Sequence, residues 1–366
     1  MRSCPECGVP KRFTRAHRWQ NNGTILENRS TAHRMVFTEC ENTAGVFARI
    51  EEILGLSIER LINESVGRLT YDYVNNIVPG IALKFFRLTT LRPLAASVAG
   101  LGRIIGLGDV ELLSMRIKGD EGDYVKIGGR NLYYLPAYCG MVTGAMEALS
   151  GQECTMSYEE TSPGYFEVTT HVSTHPIELR ERFQWPEYAG KPGDISLARC
   201  RKCGGPMALS QYEWRDGMIL RRSDGRRMLI DGPAETDAIF IELEKELGED
   251  IPNVVIAAQR DIAKGGLHSA DEIKDIETYR QVLAFRGLGN LREMDSDGER
   301  LRLRIENPCM HLLLVGLSQG LFELAAGRES RVEWELTGDG DLVIEVSQAP
   351  DHPGPLAGSA AGAGKG

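Results

Sequence analysis

The chain has 366 residues, with 42 Lys and Arg against 52 Asp and Glu and a formal net charge of −10. That length leaves room for two domains, each with its own core. The acidic balance argues against a general binder of nucleic acid or anionic membrane, and leaves room only for a local basic patch.

No basic segment followed by an apolar one opens the chain, so no secretory signal is expected. The most lipid-like stretch, PLAASVAGLG at 93–102, is too short to span a bilayer and is flanked by Arg92 and Arg103. A cytoplasmic protein with no transmembrane segment is the expectation. In a reducing compartment its eight cysteines should be thiols or metal ligands rather than disulfides.

In chain order, CPECGVP at 4–10 comes first, a CxxC knuckle with glycine after the second thiol. Short polar–apolar alternations around NNG predict a hairpin. Val46, Phe47, Ile50, Leu54, Ile58, Leu61 and Ile62 then recur at helical spacing. A further helical stretch ends at GLGD, 106–109, where glycine can supply a left-handed cap. Two strands follow (VELLSMRI and GDYVKIGG), then a helix over about 137–150, then two more strands, ECTMSYEE and YFEVTTHV. The segment 174–198, with Pro176, Pro186 and Pro192, reads as a linker.

The order then begins again. CRKCGGP at 200–206 copies the first knuckle, and Trp19, Gly23 and Ile25 correspond to Trp214, Gly217 and Ile219. From Arg34 to Ile58 the offset between copies is a constant 193. It falls to 176 where Gly140, Gly144, Glu147 and Gly151 match Gly316, Gly320, Glu323 and Gly327, so the second copy is 17 residues shorter in its middle. Its helix stop is GLGN (287–290), its strands are REMD with RLRLRIE and SRVEWELT with DLVIEVS, and its helix spans about 312–326. The expectation is an α+β protein of two duplicated domains, 1–173 and 199–348, each an antiparallel ββαββ sheet covered by helices behind a knuckle and hairpin. Residues 349–366, poor in bulky side chains, read as a disordered tail.

The stretches 139–168 and, more faintly, 316–346 resemble the 4-vinyl reductase domain family, whose ligand-binding fold is shared with haem-NO-associated and TRAPP transport domains. The resemblance implies that fold and a small hydrophobic or aromatic ligand, in a sensor or in a protein linked to tetrapyrrole metabolism. It does not carry over the family's zinc site near the last two strands, because no thiol follows Glu159 and Glu160, or Glu335.

A structural zinc needs four ligands, and each knuckle offers two. If the copies pack as an internal pseudo-dimer, Cys4, Cys7, Cys200 and Cys203 complete one tetrahedral site. The rival is a local site in copy 1 using His17, His33 or Cys40, which copy 2 lacks. The copies differ most at 73–108, which carries Lys84, Arg87, Arg92 and Arg103 among apolar residues and no acid. That segment is a core helix with a basic outer face, the wall or lid of an apolar pocket or, third, a membrane-surface helix. In the second case Phe85 and Phe86 supply contact area, Arg87 or Arg92 meets an anionic group of the ligand, and Tyr133, Tyr134 and Tyr138 stand as walls.

GLSQG at 316–320 has the form of a hydrolase elbow, with Asp341 and His352 following. The partner of Ser318 in the other copy is Val142, so the frame exists without a nucleophile. HVSTH at 171–175 has metal-like histidine spacing, but at a strand end such residues are not one-turn neighbours. The expected function is therefore non-catalytic small-molecule binding or regulation with a structural zinc. The alternative is an enzyme or accessory factor of tetrapyrrole or aromatic-compound metabolism.

Overall fold

The computed structural model describes residues 2–28, 33–77, 100–173, 186–188 and 190–349. It is α+β and duplicated. In the first copy the knuckle leads into α1 (Lys11–Ala16), β1 (His17–Trp19), β2 (Ile25–Glu27), β3 (Arg34–Glu39), α2 (Cys40–Leu54) and α3 (Glu59–Ile77). The ββαββ unit follows as β4 (Asp109–Arg116), β5 (Tyr124–Arg130), α4 (Leu135–Ser150), β6 (Cys154–Ser162) and β7 (Tyr165–Val172). The second copy repeats the order with a short 3-10 turn (Met207–Gln211) in place of α1, then β8 (Tyr212–Arg215), β9 (Met218–Arg221) and β10 (Arg227–Asp231). Next come α5 (Pro233–Leu247), α6 (Ile251–Ile262), α7 (Ile276–Arg286), β11 (Asn290–Ser296), β12 (Arg300–Glu306), α8 (His311–Ala326), β13 (Ser330–Leu336) and β14 (Leu342–Gln348).

The expected strands and helices of both ββαββ units are present within a residue or two, as antiparallel sheets ordered β4-β5-β7-β6 and β11-β12-β14-β13. One helical pattern, Val46 to Ile62, turns out to be two helices. Gly55 takes a left-handed φ of 68° and ends α2. Val46, Ile50, Ile58 and Ile62 all enter the same core, so their periodicity runs across the break without marking it.

What the residue pattern did not display is a third sheet shared by the copies, ordered β1-β2-β3-β10-β9-β8. Its centre is the antiparallel pairing of β3 with β10, where Phe37 faces Ile230. The repeat offset of 193 maps Phe37 onto Ile230, so a pseudo-two-fold axis passes between equivalent residues, as in an isologous dimer.

Around this axis each hairpin, paired with its own copy's strand, also reaches across to the other copy. Trp19 donates its indole N–H to the Phe285 carbonyl of copy 2 (2.7 Å), and Trp214 donates to the Ile104 carbonyl of copy 1 (2.9 Å). The Gly23 carbonyl accepts from the Gly289 amide, and the Gly217 carbonyl from the Gly108 amide. Both hairpin glycines have positive φ, and a β-carbon on either would sit 2.1 Å from backbone atoms of the opposite copy. No side chain fits there.

The repeated Gly-x3-Gly and its glutamate also have physical roles. A β-carbon on Gly144 would lie 1.9 Å from the Gly67 carbonyl oxygen of α3, and one on Gly316 would lie 2.4 Å from the Ile256 carbonyl of α6. These glycines let an earlier helix of the same copy approach backbone to backbone. Glu147 and Glu323, both buried, accept from the amides of Cys154 and Ser330, tying each helix to the strand after it.

Part of the segment between copies, 174–185 and 189, lies outside the described residues. The rest is strapped down. Asn22 donates to the Lys191 carbonyl, the Lys191 amide donates to Asn307, and the Lys191 ammonium meets buried Asp341. The expected tail falls outside the described residues from 350 onward. Among the described residues no helix is long and apolar enough to cross a membrane.

The close helix contact gives a direct test. Gly144→Ala should cost about 2 kcal/mol or more, because the clash is with backbone that cannot step aside. Gly265→Ala, where a β-carbon meets open space, is the matched control. Equal denaturation midpoints for the two variants would refute the packing.

Candidate functional site

The two knuckles are built alike. The Gly8 amide donates to the Cys4 carbonyl and the Gly204 amide to the Cys200 carbonyl, both at 2.9 Å, which curls each CxxC loop around its thiols. The shared sheet and the hairpins that reach across it bring the loops face to face. Cys4 Sγ lies 3.7 Å from Cys200 Sγ and Cys7 Sγ lies 3.5 Å from Cys203 Sγ. All four sulfurs fall within 4.8 Å of one another.

Four Zn–S bonds of about 2.3 Å in a tetrahedron set sulfurs about 3.8 Å apart, so this arrangement fits a tetrathiolate metal site. The separations are too long for disulfides, and all the cysteines are free. Backbone N–H groups of Cys7 and Glu6 hold the Cys4 thiol down to about 6, whereas burial pushes Cys7 up to about 12 and Cys203 up as well, so the case for a thiolate site rests on the sulfur geometry. Cys4, Cys7 and Cys200 are buried and Cys203 is half-buried.

The rival ligands are elsewhere. Buried His17 sets Nδ1 3.0 Å from the Phe13 carbonyl, His33 stands beside Glu27, and Cys40 lies in the main core. Among the described residues no other group of histidine, cysteine or carboxylate side chains converges at metal-binding distance.

A second feature sits at the seam between copies. A cavity of about 30 Å³, room for roughly two waters, is lined by Glu39 and Asn42 of copy 1 and by Gln259, His268 and Arg286 of copy 2, over Leu313, Leu314 and Leu317 of α8. Arg286 is buried and donates to Glu39 at 2.5 Å. Asn42 and Gln259 exchange amide hydrogen bonds of 3.0 and 2.9 Å. His268 is held by Glu272, whose carboxyl drops to about 2: the imidazole's hydrogen bond and positive neighbours outweigh burial. Sequence reasoning missed these residues. Glu39 and Arg286 are 247 positions apart, so only the packing of the two copies against each other brings them together.

The expected ligand residues are only partly placed. Phe85, Phe86, Arg87 and Arg92 lie outside the described residues. Tyr133 is buried in the core common to both copies, and Tyr134 stacks on Phe47 with ring centroids 5.7 Å apart. Tyr138 enters a separate cluster beneath the first sheet with Val110 and Val168. The hydrolase frame is empty of function: Ser318 is fully buried against Tyr279, Asp341 is held by Lys191 and Arg304, and His352 lies outside the described residues. His171 is exposed on β7, and its partner His175 is also outside them.

No protein-family model matches the chain. No curated protein matches it either. Among solved structures it is similar to the phenol-responsive sensory domain of the transcription activator PoxR, crystallised with phenol, at 16% identity and a TM-score of 0.34 over 46% of this chain and 90% of that one. It is also similar to a Cs H-NOX mutant carrying 4-cyano-L-phenylalanine (12% identity, TM-score 0.24, 33% of this chain and 75% of that one). A second H-NOX structure, from work on haem distortion, gives 12% identity and a TM-score of 0.23 over 32% and 71% of the two chains. Scores this low carry no argument about ligand or activity, which rest on the geometry above.

Two measurements follow. Metal analysis of the purified protein should give one zinc per chain, lost in Cys200→Ser/Cys203→Ser and equally in Cys4→Ser/Cys7→Ser. Two zincs, or a content unchanged by either pair, would exclude a shared site. Separately, burial pushes the His17 imidazole down to about 4. The unfolded chain, near 6.5, therefore binds the proton first, and this residue's contribution is lost as pH falls from about 6.5 toward 4, by up to about 3 kcal/mol. Urea midpoints at pH 7 and pH 4.5 should show a smaller acid loss for His17→Gln than for wild type. An equal loss would mean that His17 is not held neutral.

Proposed function

We propose that the chain is a non-catalytic, small-molecule-binding regulatory protein, whose two copies (1–173 and 199–348, joined by 174–198) are clasped by one structural zinc on Cys4, Cys7, Cys200 and Cys203. The observation that carries the reading is the make-up of the seam cavity, where a buried guanidinium, a carboxylate and two amides face an apolar floor; its volume of about 30 Å³ takes roughly two waters, so an aromatic ligand must widen it. Binding sites for small molecules have this composition: apolar walls with a few fixed polar groups. The polar groups at the cavity already satisfy one another.

The duplication supports a like site in copy 1. Offset by 176, the cavity residues Met310, Leu313, Leu314 and Leu317 correspond to Tyr134, Ala137, Tyr138 and Met141. Two of the expected tyrosines thus occupy the positions that line the cavity in copy 2. In this reading Tyr133, Tyr134 and Tyr138, with Phe85, Phe86, Arg87 and Arg92, receive a small hydrophobic or aromatic ligand with an anionic group. The zinc holds the seam rigid and contacts no ligand.

The test is native mass spectrometry of the protein as isolated, followed by thermal-shift assays with simple phenols and aromatic carboxylic acids. Wild type should gain several degrees with at least one compound. Filling the copy 2 cavity with Leu317→Trp, or the copy 1 site with Ala137→Trp, should abolish the gain at that site while the zinc content stays at one. If no compound is retained or stabilises the chain, or if both variants respond as wild type does, the reading fails.

A further inference from the structure

The basic residues are not spread evenly. Segments 2–20 and 196–211, which hold both knuckles, contain eight bases and one acid, in a chain where acids outnumber bases by ten. The eight are Arg2, Lys11, Arg12, Arg15 and Arg18 in copy 1 and Arg199, Arg201 and Lys202 in copy 2. All are exposed, and none has an ion pair among the described residues. Elsewhere the bases are commonly paired: Arg49 with Asp261, Lys264 with Glu323, Arg304 with Asp341.

The segments are also close in space. The Arg201 amide donates to Glu6, the acid among them, at 3.3 Å, and Arg199 donates to the Trp19 carbonyl beside Arg18. Thr14 of α1 lies beneath Gly205, and the Lys11 amide donates to the Arg2 carbonyl. Eight exposed cations without an ion pair among the described residues therefore sit on the two adjoining segments that carry the four thiols. Even with the double negative charge of a zinc tetrathiolate beneath them, they keep the surface positive.

We infer that this surface docks the phosphate backbone of a nucleic-acid duplex. Unpaired, exposed arginine and lysine on a rigid support are the footprint of sequence-independent phosphate binding. Three other partners fit less well. A membrane surface calls for apolar side chains that insert, and none of the exposed large hydrophobic residues falls in either segment. An acidic protein would need an aromatic or aliphatic anchor, which the same observation removes. A single strand would need exposed aromatic rings for stacking, whereas Phe13 and Trp19 are buried. The two knuckles are related by the pseudo-two-fold axis, and a duplex backbone presents phosphates with matching two-fold symmetry. The net acidity of the rest of the chain keeps the interaction local and sensitive to salt.

The experiment is fluorescence anisotropy of a labelled 20-base-pair DNA duplex with the metal-loaded full chain. Binding is expected at 50 mM salt, and about 100-fold weaker at 200 mM if about four phosphates are contacted. Arg12→Ala/Arg15→Ala/Lys202→Ala should weaken binding at least about tenfold and flatten the salt dependence, since each lost phosphate contact lowers the slope by about one. Lys274→Ala/Arg302→Ala/Arg331→Ala removes the same charge from exposed bases elsewhere that have no ion pair among the described residues, and should bind as wild type does. An RNA duplex of the same sequence should bind by the same contacts. The inference is overturned if no duplex binds at 50 mM salt, if both triple variants weaken binding alike, or if the protein binds vesicles of 30% phosphatidylserine in preference to the duplex.

Discussion

The pairing of β3 with β10 is the constraint on which the rest depends. Four backbone registers, Met228 with Glu39 through Asp231 with Val36, join the copies. Once they are set, each hairpin, still paired with its own copy's strand, reaches the other copy through the Trp19 and Trp214 indoles. The knuckles precede these hairpins, so the same pairing brings four thiols to one point. The Glu39–Arg286 pair and the cavity beside it follow too, since Glu39 ends the strand that makes the seam.

A buried pair of this kind is better evidence of geometry than of stability. Taking a guanidinium and a carboxylate out of water costs more than most pairs recover, unless the remaining donors and acceptors find partners. Here the cost falls at the junction of the copies, beside an amide pair that is also closed on itself. The polar groups at the seam thereby fix one register of one copy on the other, which apolar packing alone would leave looser.

Much of this was legible in the residues. The duplication, both ββαββ units and the sharing of four cysteines between two knuckles could be read because repeated spacing survives divergence. The shared sheet could not, since Arg34–Glu39 and Arg227–Asp231 are short and nearly all buried, with no alternation to show which partner they face. The cavity was hidden for the same reason: its lining comes from both copies. Net charge left one more feature open. A total of −10 describes the molecule, whereas the cations around the knuckles are a local property that a sum cannot carry. The hydrolase-like GLSQG was a coincidence of packing, with glycines placed for helix contact and a serine sealed in the core.

The hairpin contacts between copies bear on how such a chain emerges from the ribosome. The Trp19 indole N–H lacks its acceptor until Phe285 has been synthesised, 266 residues later, and β3 keeps an open edge until β10 appears. Contacts of such high sequence separation form late, because the loop entropy is lost before any bond is gained. Through that interval the first copy presents an unpaired strand, and the β10 of a neighbouring chain would complete it as well as its own. Crowded polysomes would then favour chains interlocked through their hairpins, and slow or dilute synthesis the closed monomer.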